Sequence, residues 1–336
     1  MENERSMVVA KDWRTYQLFG VTMLSSFPFA SHVGQTAGDP ELLFECNPQA
    51  PIPAEWELDP HPLYASPRQT KNGESAAYLY QLENCAILRL TRFADFYLWS
   101  NRIVCHLLEP ALGSWVEIRF LGTVLSLWLE SRGLPVIHAS AVVQDGQAIG
   151  FLASNRGGKS SLAATMVKSG HSLLTDDLLP IEMLQGTPHG YPSYPQMRLW
   201  PEDALHVLGY KDCETLEHVH PECSKRRIPI GLDGFGTFCD TCRPIACIYL
   251  PRRYKPTGAD PPVEIVPVHP QKAMMELLRL SFSARIVEAL GLQPQRLDVF
   301  ASLVQQIPLR LISYPSGVGY LDKVREAILM DLDHLQ

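Results

Sequence analysis

The chain has 336 residues, 46% of them hydrophobic, and a formal net charge of −7. That is enough apolar material for a sizeable core and enough length for two or three domains. It lacks the overall basic footprint of a nucleic-acid binder. Residues 1–15 are polar and mixed in charge, unlike a secretory leader, and the longest apolar runs, such as 120–129, are too short and interrupted to cross a bilayer. The expectation is a soluble, cytoplasmic protein with neither nucleic acid nor membrane as partner.

Residues 16–30, YQLFGVTMLSSFPFA, alternate well enough for one strand or two short ones. A proline-rich, weakly patterned region over 38–73 reads as long surface connection. At 77–82, 86–90 and 96–99 the pattern returns to strands, whose aromatics and polar breaks suggest an antiparallel sheet. Together these predict a β-rich N-terminal domain over 1–112 with no chemistry of its own, suited to substrate docking, dimerisation or support. Residues 117–131 read as a helix with Phe120, Leu121, Val124, Leu127 and Trp128 on one face, ended by Arg132-Gly133.

The stretch 147–182 organises the rest. Ala148-Ile149-Gly150-Phe151-Leu152 reads as a buried strand, and a helix follows with Leu162, Ala163, Met166 and Val167 on one face. Between them lies Ala153-Ser154-Asn155-Arg156-Gly157-Gly158-Lys159-Ser160, followed by Ser161: a P-loop of the form A-x-x-x-x-G-K-S in the strand–loop–helix context that such a motif requires. Gly157 and Gly158 let backbone N–H groups approach phosphate closely, and the helix N-terminus adds partial positive charge. Lys159 is expected to reach the β- and γ-phosphates of ATP and the Ser160 hydroxyl to ligate Mg²⁺. Ala153 stands where glycine is commoner, which requires an ordinary backbone angle there.

Past Gly170, residues 171–175 form a short apolar run ending in Asp176-Asp177. If this run is the next parallel strand, both carboxylates lie at its C-terminal end beside the phosphate loop. One acid would hold Mg²⁺ and the other accept the proton of an attacking hydroxyl. The sequence alone favours Asp176 as base and Asp177, with Ser160, as metal partner.

Residues 136–142 (VIHASAV), the P-loop and the G-H-x-L-x-x-D-D run from Gly170 to Asp177 resemble the catalytic core of the HPr serine kinase/phosphorylase family. The likeness is greater to its stand-alone HPr-kinase-like relatives, some of which accompany lasso-peptide biosynthesis and phosphorylate a serine of the precursor peptide. It is specific over 138–182 and weaker elsewhere, at Tyr16-Gln17-Leu18-Phe19-Gly20 and Tyr314-Pro315. The resemblance implies an α/β fold, with a P-loop HPr-kinase-like core over 113–336 behind the smaller β-rich domain. It also implies an active-site histidine near the acid pair, a role that maps onto His138. The glycine-rich E-x-R-G-x-G segment that the bifunctional enzymes use for phosphorolysis is absent, which points to a kinase without the reverse activity.

Farther along, the proline- and aromatic-rich stretch 191–201 resembles the family's corresponding segment and offers Arg198 as a phosphate neighbour. Ser224-Lys225-Arg226-Arg227 is the densest basic cluster, a solvated turn or a source of transition-state charge. Of the eight cysteines, Cys213, Cys223, Cys239 and Cys242 lie near His218 and His220, but the nine residues between Cys213 and Cys223 suit a zinc knuckle poorly. Strands are expected at 245–250, 263–268 and 307–312, and helices at 270–280, 283–290, 295–304 and 321–332. The reading is an ATP- and Mg²⁺-dependent kinase acting on a serine of a peptide or protein, with homo-oligomerisation left open. The alternatives are a small-molecule kinase on the same core, or a nucleotide-binding partner protein without turnover.

Overall fold

The computed structural model describes residues 12–30, 33–47, 61–209, 211–231, 234–256, 258 and 262–335. The nine N-terminal strands are β1 (Arg14–Leu18), β2 (Val21–Ser25), β3 (Gly34–Gln35), β4 (Leu42–Cys46), β5 (Tyr64–Ala65), β6 (Ala77–Gln81), β7 (Ala86–Leu90), β8 (Ala94–Leu98) and β9 (Arg102–Leu107). They form one sheet in the order β3-β1-β2-β4-β9-β8-β7-β6-β5. Period-two burial is plain in β2, where Val21, Met23 and Ser25 are buried and Thr22 and Leu24 half-buried. The strands β6, β7, β8 and β9 pair antiparallel, as the pattern at 77–99 predicts, and the sheet as a whole is mixed because β4 lies between β2 and β9 and runs parallel to both. A strand reached through a long connection is free of hairpin geometry. The proline-rich connection thus contains β4 and β5, while its residues 48–60 lie outside the described residues.

A helical run, Pro110–Ser131, follows. It opens as a 3-10 turn (Pro110–Trp115), continues as α1 (Val116–Arg119), widens into a π turn (Phe120–Val124) and ends as α2 (Leu125–Ser131). It starts earlier than its periodicity predicts and, at 22 residues, is long and apolar enough to cross a membrane by length and composition. Its place here is inside the protein. Phe120 stacks on Phe44 of β4 at 3.8 Å, and the Trp128 indole donates to the carbonyls of Trp99 and Ser100. Its two buried glutamates are ion-paired, Glu117 with Arg227 and Glu130 with Arg296. The boundary expected between 112 and 113 falls within this run, whose apolar face shares one core with the N-terminal sheet.

The second large sheet holds β10 (Val136–Ile137), β11 (Ala139–Gln144), β12 (Gln147–Leu152), β13 (Ser172–Thr175), β14 (Leu179–Leu184) and β15 (Thr187–Gly190). A three-stranded sheet of β16 (Gln196–Leu199), β17 (His218–His220) and β18 (Cys223–Pro229) stands beside it. The large sheet is completed by β19 (Thr237–Phe238), β20 (Arg243–Tyr254), β21 (Glu264–Pro267) and β22 (Leu309–Pro315). Its order is β10-β14-β15-β20-β12-β11-β13-β19, with β22 also on β20 and β21 on β22. The helices are α3 (Lys159–Lys168), α4 (Pro201–Leu208), α5 (Pro270–Arg279), α6 (Ala284–Ala289), α7 (Gln293–Gln306) and α8 (Leu321–Asp333). Strand alternation makes the layers. Ile149 and Phe151 of β12 pack with Leu162 of α3 and Val324 of α8, whereas Ala148 and Leu152 pack with Leu277 of α5 and Phe300 of α7.

One detail of order positions the site. β13 runs in the same direction as β12 but is not its neighbour, because β11 lies between them, antiparallel to both. The start of β11 therefore meets the edge where β12 and β13 end. His138, the phosphate loop and the acid pair come to one rim by this arrangement.

Candidate functional site

The loop from Ala153 to Gly158 owes its shape to two glycines. A Cβ on Gly157 would sit 2.5 Å from that of Ala153 and 2.8 Å from the Ser154 carbonyl oxygen. Gly158 has φ +94°, and a Cβ there would lie 2.6 Å from the Tyr314 hydroxyl. Ala153 itself is not among the positive-φ residues, so alanine is accommodated, its methyl buried in the floor that Gly157 leaves open. The Lys159 ammonium folds back over the loop, donating to the carbonyls of Ala153 at 2.8 Å and Ser154 at 3.3 Å. Burial lowers its pKa against the opposing pull of Asp177 and Asp176. Ser154, Asn155 and Arg156 are exposed along the loop, with the Arg156 guanidinium 5.2 Å from the centre of the Trp200 ring. Ser161, in the first turn of α3, is buried.

The two acids make different contacts. Asp176 is the inner acid, 7% exposed. Its Oδ1 accepts from the Ser140 hydroxyl at 2.6 Å and the Ser160 hydroxyl at 2.8 Å, and its Oδ2 from the Arg198 N–H at 3.0 Å. Asp177, with φ +79°, turns away from that cluster and lines the open cleft. Its Oδ1 lies 3.7 Å from His138 Nε2 and its Oδ2 3.8 Å from Arg198 Nη1. Burial alone would raise the Asp177 pKa, but His138, Lys225 and Arg198 outweigh it and hold the carboxyl well below its ordinary range. The chain leaves the strand at Asp177 in a left-handed conformation.

Arg198 is fixed from behind by the Tyr194 hydroxyl, to which it donates at 2.8 Å. Burial is the main cause that pushes the Tyr194 hydroxyl up to about 12. The His138 ring stands edge-on to Phe282 at 5.6 Å, and its backbone N–H is tied to the Leu280 carbonyl. From the basic cluster only Lys225 reaches the cleft. Arg226 bonds the Cys213 carbonyl and His218, and Arg227 is buried on Glu117.

The cleft over the loop measures about 700 Å³, and Trp200, Asp203, Arg253 and Tyr314 contribute to its walls. The Tyr314 hydroxyl is buried without a hydrogen-bond partner beside Gly158, as a donor awaiting a ligand oxygen would be. Sequence reasoning passed over Ser140, Trp200, Asp203 and Arg253 as site residues. Only Ser140 carried a usable signal, since it lies two residues past His138 and a strand returns to the same face every second residue.

No family model matches this sequence, and no curated protein does. Among solved structures, the HPr(Ser) kinase/phosphatase from Coxiella burnetii aligns with a TM-score of 0.30 and 14% identity, over 58% of this chain and 97% of that one. Overlap at that score decides nothing about this chain.

Ser160 and Asp176 present hard oxygen donors side by side at the head of α3, a set that suits Mg²⁺, which takes one or two protein ligands and fills the rest with phosphate and water. Among the described residues no three or more His, Cys, Asp and Glu side chains gather as a metal cluster. Cys213, Cys223, Cys239 and Cys242 are free thiols, and Cys239 accepts from Arg243 Nε at 3.2 Å.

Proposed function

We propose that the cleft binds ATP with Mg²⁺ and transfers the γ-phosphoryl group to the hydroxyl of a serine in a peptide or protein. The observation that carries this reading is the hydrogen bond from Ser160 to Asp176 at the end of a lysine-bearing glycine loop, with a second, ionised carboxylate facing the same cleft. In a P-loop, that serine and that acid are the pair that shares the metal.

The N–H groups at the head of α3 and the Lys159 ammonium bind the β- and γ-phosphates, and Tyr314 and Arg253 flank the loop from β22 and β20. Ser160 and Asp176 would hold Mg²⁺, which supplies neutralisation of phosphate charge. Asp177 accepts the acceptor hydroxyl as a hydrogen-bond donor. The acceptor oxygen bonds the γ-phosphorus as its bond to the ADP oxygen breaks, and the hydroxyl proton passes to Asp177. A depressed pKa makes Asp177 a weak base, but a loose phosphoryl-transfer state needs little proton removal early. Its main work is orientation, with His138 holding it in place. Arg198 and Lys225 face the charge that builds on the transferring group.

Asp177 opens on the phosphate cleft instead of away from it, which favours turnover over a binding protein without chemistry. The resemblance in the 138–182 region extends the proposal to a lasso-peptide precursor as one acceptor. The test is transfer of labelled γ-phosphate to serine peptides, with nucleotide binding measured in parallel. A protein that neither binds ATP nor labels any peptide or protein acceptor would overturn the reading.

A further inference from the structure

Beyond Asp177 lies a second cavity of about 420 Å³. It shares His138, Asn155, Asp177, Arg198 and Lys225 with the nucleotide cleft, so the two spaces meet at the carboxylate that faces both. Its other walls come from distant parts of the chain: Phe19 in the β1–β2 turn, Arg119 and Gly122 on the long helical run, and Phe282 and Ser283 ahead of α6. The N-terminal domain is therefore part of this space.

Independent features mark it as a built site. The π turn Phe120–Val124 forms one wall, and such turns recur at functional sites. Asp177 and Ser283, at φ +79° and +51°, hold left-handed conformations outside any hairpin turn, and both line the cavity. Among the described residues Arg119 has no carboxylate in ion-pair contact and rests on the ring of Trp115, whereas Lys225 lies over Trp200 and is drawn to Asp177. Arg68 lies near enough to Arg119 to disfavour its charge further. Asp177 answers Lys225 and Arg198, which leaves Arg119 as the cavity's cation for an incoming anion.

We propose that this cavity receives the phosphoryl acceptor, and that the acceptor is a serine in an acidic peptide segment. The serine side chain enters along the apolar wall of Phe19 and Phe282 to meet Asp177, and a neighbouring carboxylate of the peptide pairs with Arg119. The proposal rests on the kinase reading above. The atoms balance as given there: the seryl oxygen takes the phosphoryl group, ADP leaves, and the proton goes to Asp177.

Gly122 offers a direct test. A Cβ there would have Phe282 as its nearest neighbour at 4.0 Å, so the space beyond is open, and leucine favours the helix more than glycine does. Gly122→Leu should fill the cavity and lower transfer to an acidic serine peptide at least about tenfold, with affinity for a fluorescent ATP analogue unchanged. The melting temperature of Gly122→Leu should stay within a few degrees of wild type, which separates blockage from misfolding. Arg119→Glu should raise KM for the acidic peptide about tenfold and change a neutral serine peptide by no more than about twofold. Undiminished transfer by Gly122→Leu overturns the site. Wild-type transfer that prefers neutral or basic peptides, or small hydroxy acids, overturns the acceptor class. Failure of the wild type to bind the ATP analogue instead overturns the kinase reading beneath both.

Discussion

The Ser160 hydroxyl donates to Oδ1 of Asp176 across 2.8 Å, joining the first turn of α3 to the end of β13. Asp176 has two further donors, so its place is set before any ligand arrives. Asn at 176 would turn an amide N–H₂ toward at least one of these donors, costing about 1–3 kcal/mol of stability. It should also raise the Mg²⁺ concentration for half-maximal rate by about tenfold or more. Asp177→Asn should leave the Mg²⁺ requirement alone and lower transfer by about 10²-fold, the low end for general-base catalysis. Rate against Mg²⁺ for both variants decides this. The same Mg²⁺ response in both would remove the division of roles.

The Lys159 ammonium bonds to the carbonyls of Ala153 and Ser154, and the residue lines the cleft. Lys159→Ala should therefore reduce phosphoryl transfer by at least about 10²-fold, the usual loss when a preorganised charge is removed from a transition state. Thermal melting should shift by no more than a few degrees. Near-normal turnover with a normal melt would refute the P-loop assignment.

Asp177 also predicts a pH effect on stability. Its folded pKa lies below the unfolded value, so its contribution is present above the ordinary carboxylate range and is lost as pH falls through the folded value. Wild type should be more stable than Asp177→Asn at about pH 7, and the gap should narrow below about pH 4. Denaturant midpoints at the two ends measure it. A gap that widens toward acid would show that burial, not the surrounding cations, dominates at this carboxyl.

The pair Glu130–Arg296 is sealed from solvent, at 2% and 0% side-chain exposure. Burial pushes the Glu130 pKa up, and Arg296 opposes that shift. Removing one partner leaves a buried charge without its counterpart. Arg296→Ala should cost about 3–5 kcal/mol in chemical denaturation. The double change Glu130→Leu with Arg296→Met should recover part of it, though not the bond that Glu130 accepts from the Val136 N–H. A loss below about 1 kcal/mol in the single variant would mean that water reaches the pair.

Much of the core was readable from local pattern. The helices α3 and α5 to α8 and the strands at 147–152 and 172–175 fall within a few residues of their periodicity, because a buried face repeats every 3.6 residues in a helix and every second one in a strand; α4 was not read from the sequence. The long helical run was read too short at its start. Its first turn is 3-10, and its π turn shifts the stripe that a regular helix would show. The antiparallel strands between 77 and 99 were readable from their alternation, whereas β4, the strand that makes the whole sheet mixed, lies in a proline-rich stretch without alternation.

What the sequence by itself determined is the glycine loop between β12 and α3. Its strand, glycines, lysine and helix are contiguous, and the backbone geometry each residue type allows is a local property. The tertiary structure alone decided where each acid stands. Asp176 meets Ser160 because β11 is inserted between β12 and β13, and Asp177 faces the cleft because its own φ is positive. It also decided that Arg198, Lys225, Arg253 and Tyr314 stand around one loop, and that Phe19 and Arg119 reach the acid pair from the other side. Strand order and the packing of one domain on another bring these residues together across most of the chain, and hydrophobic periodicity encodes which face is buried but not which strand lies next to it.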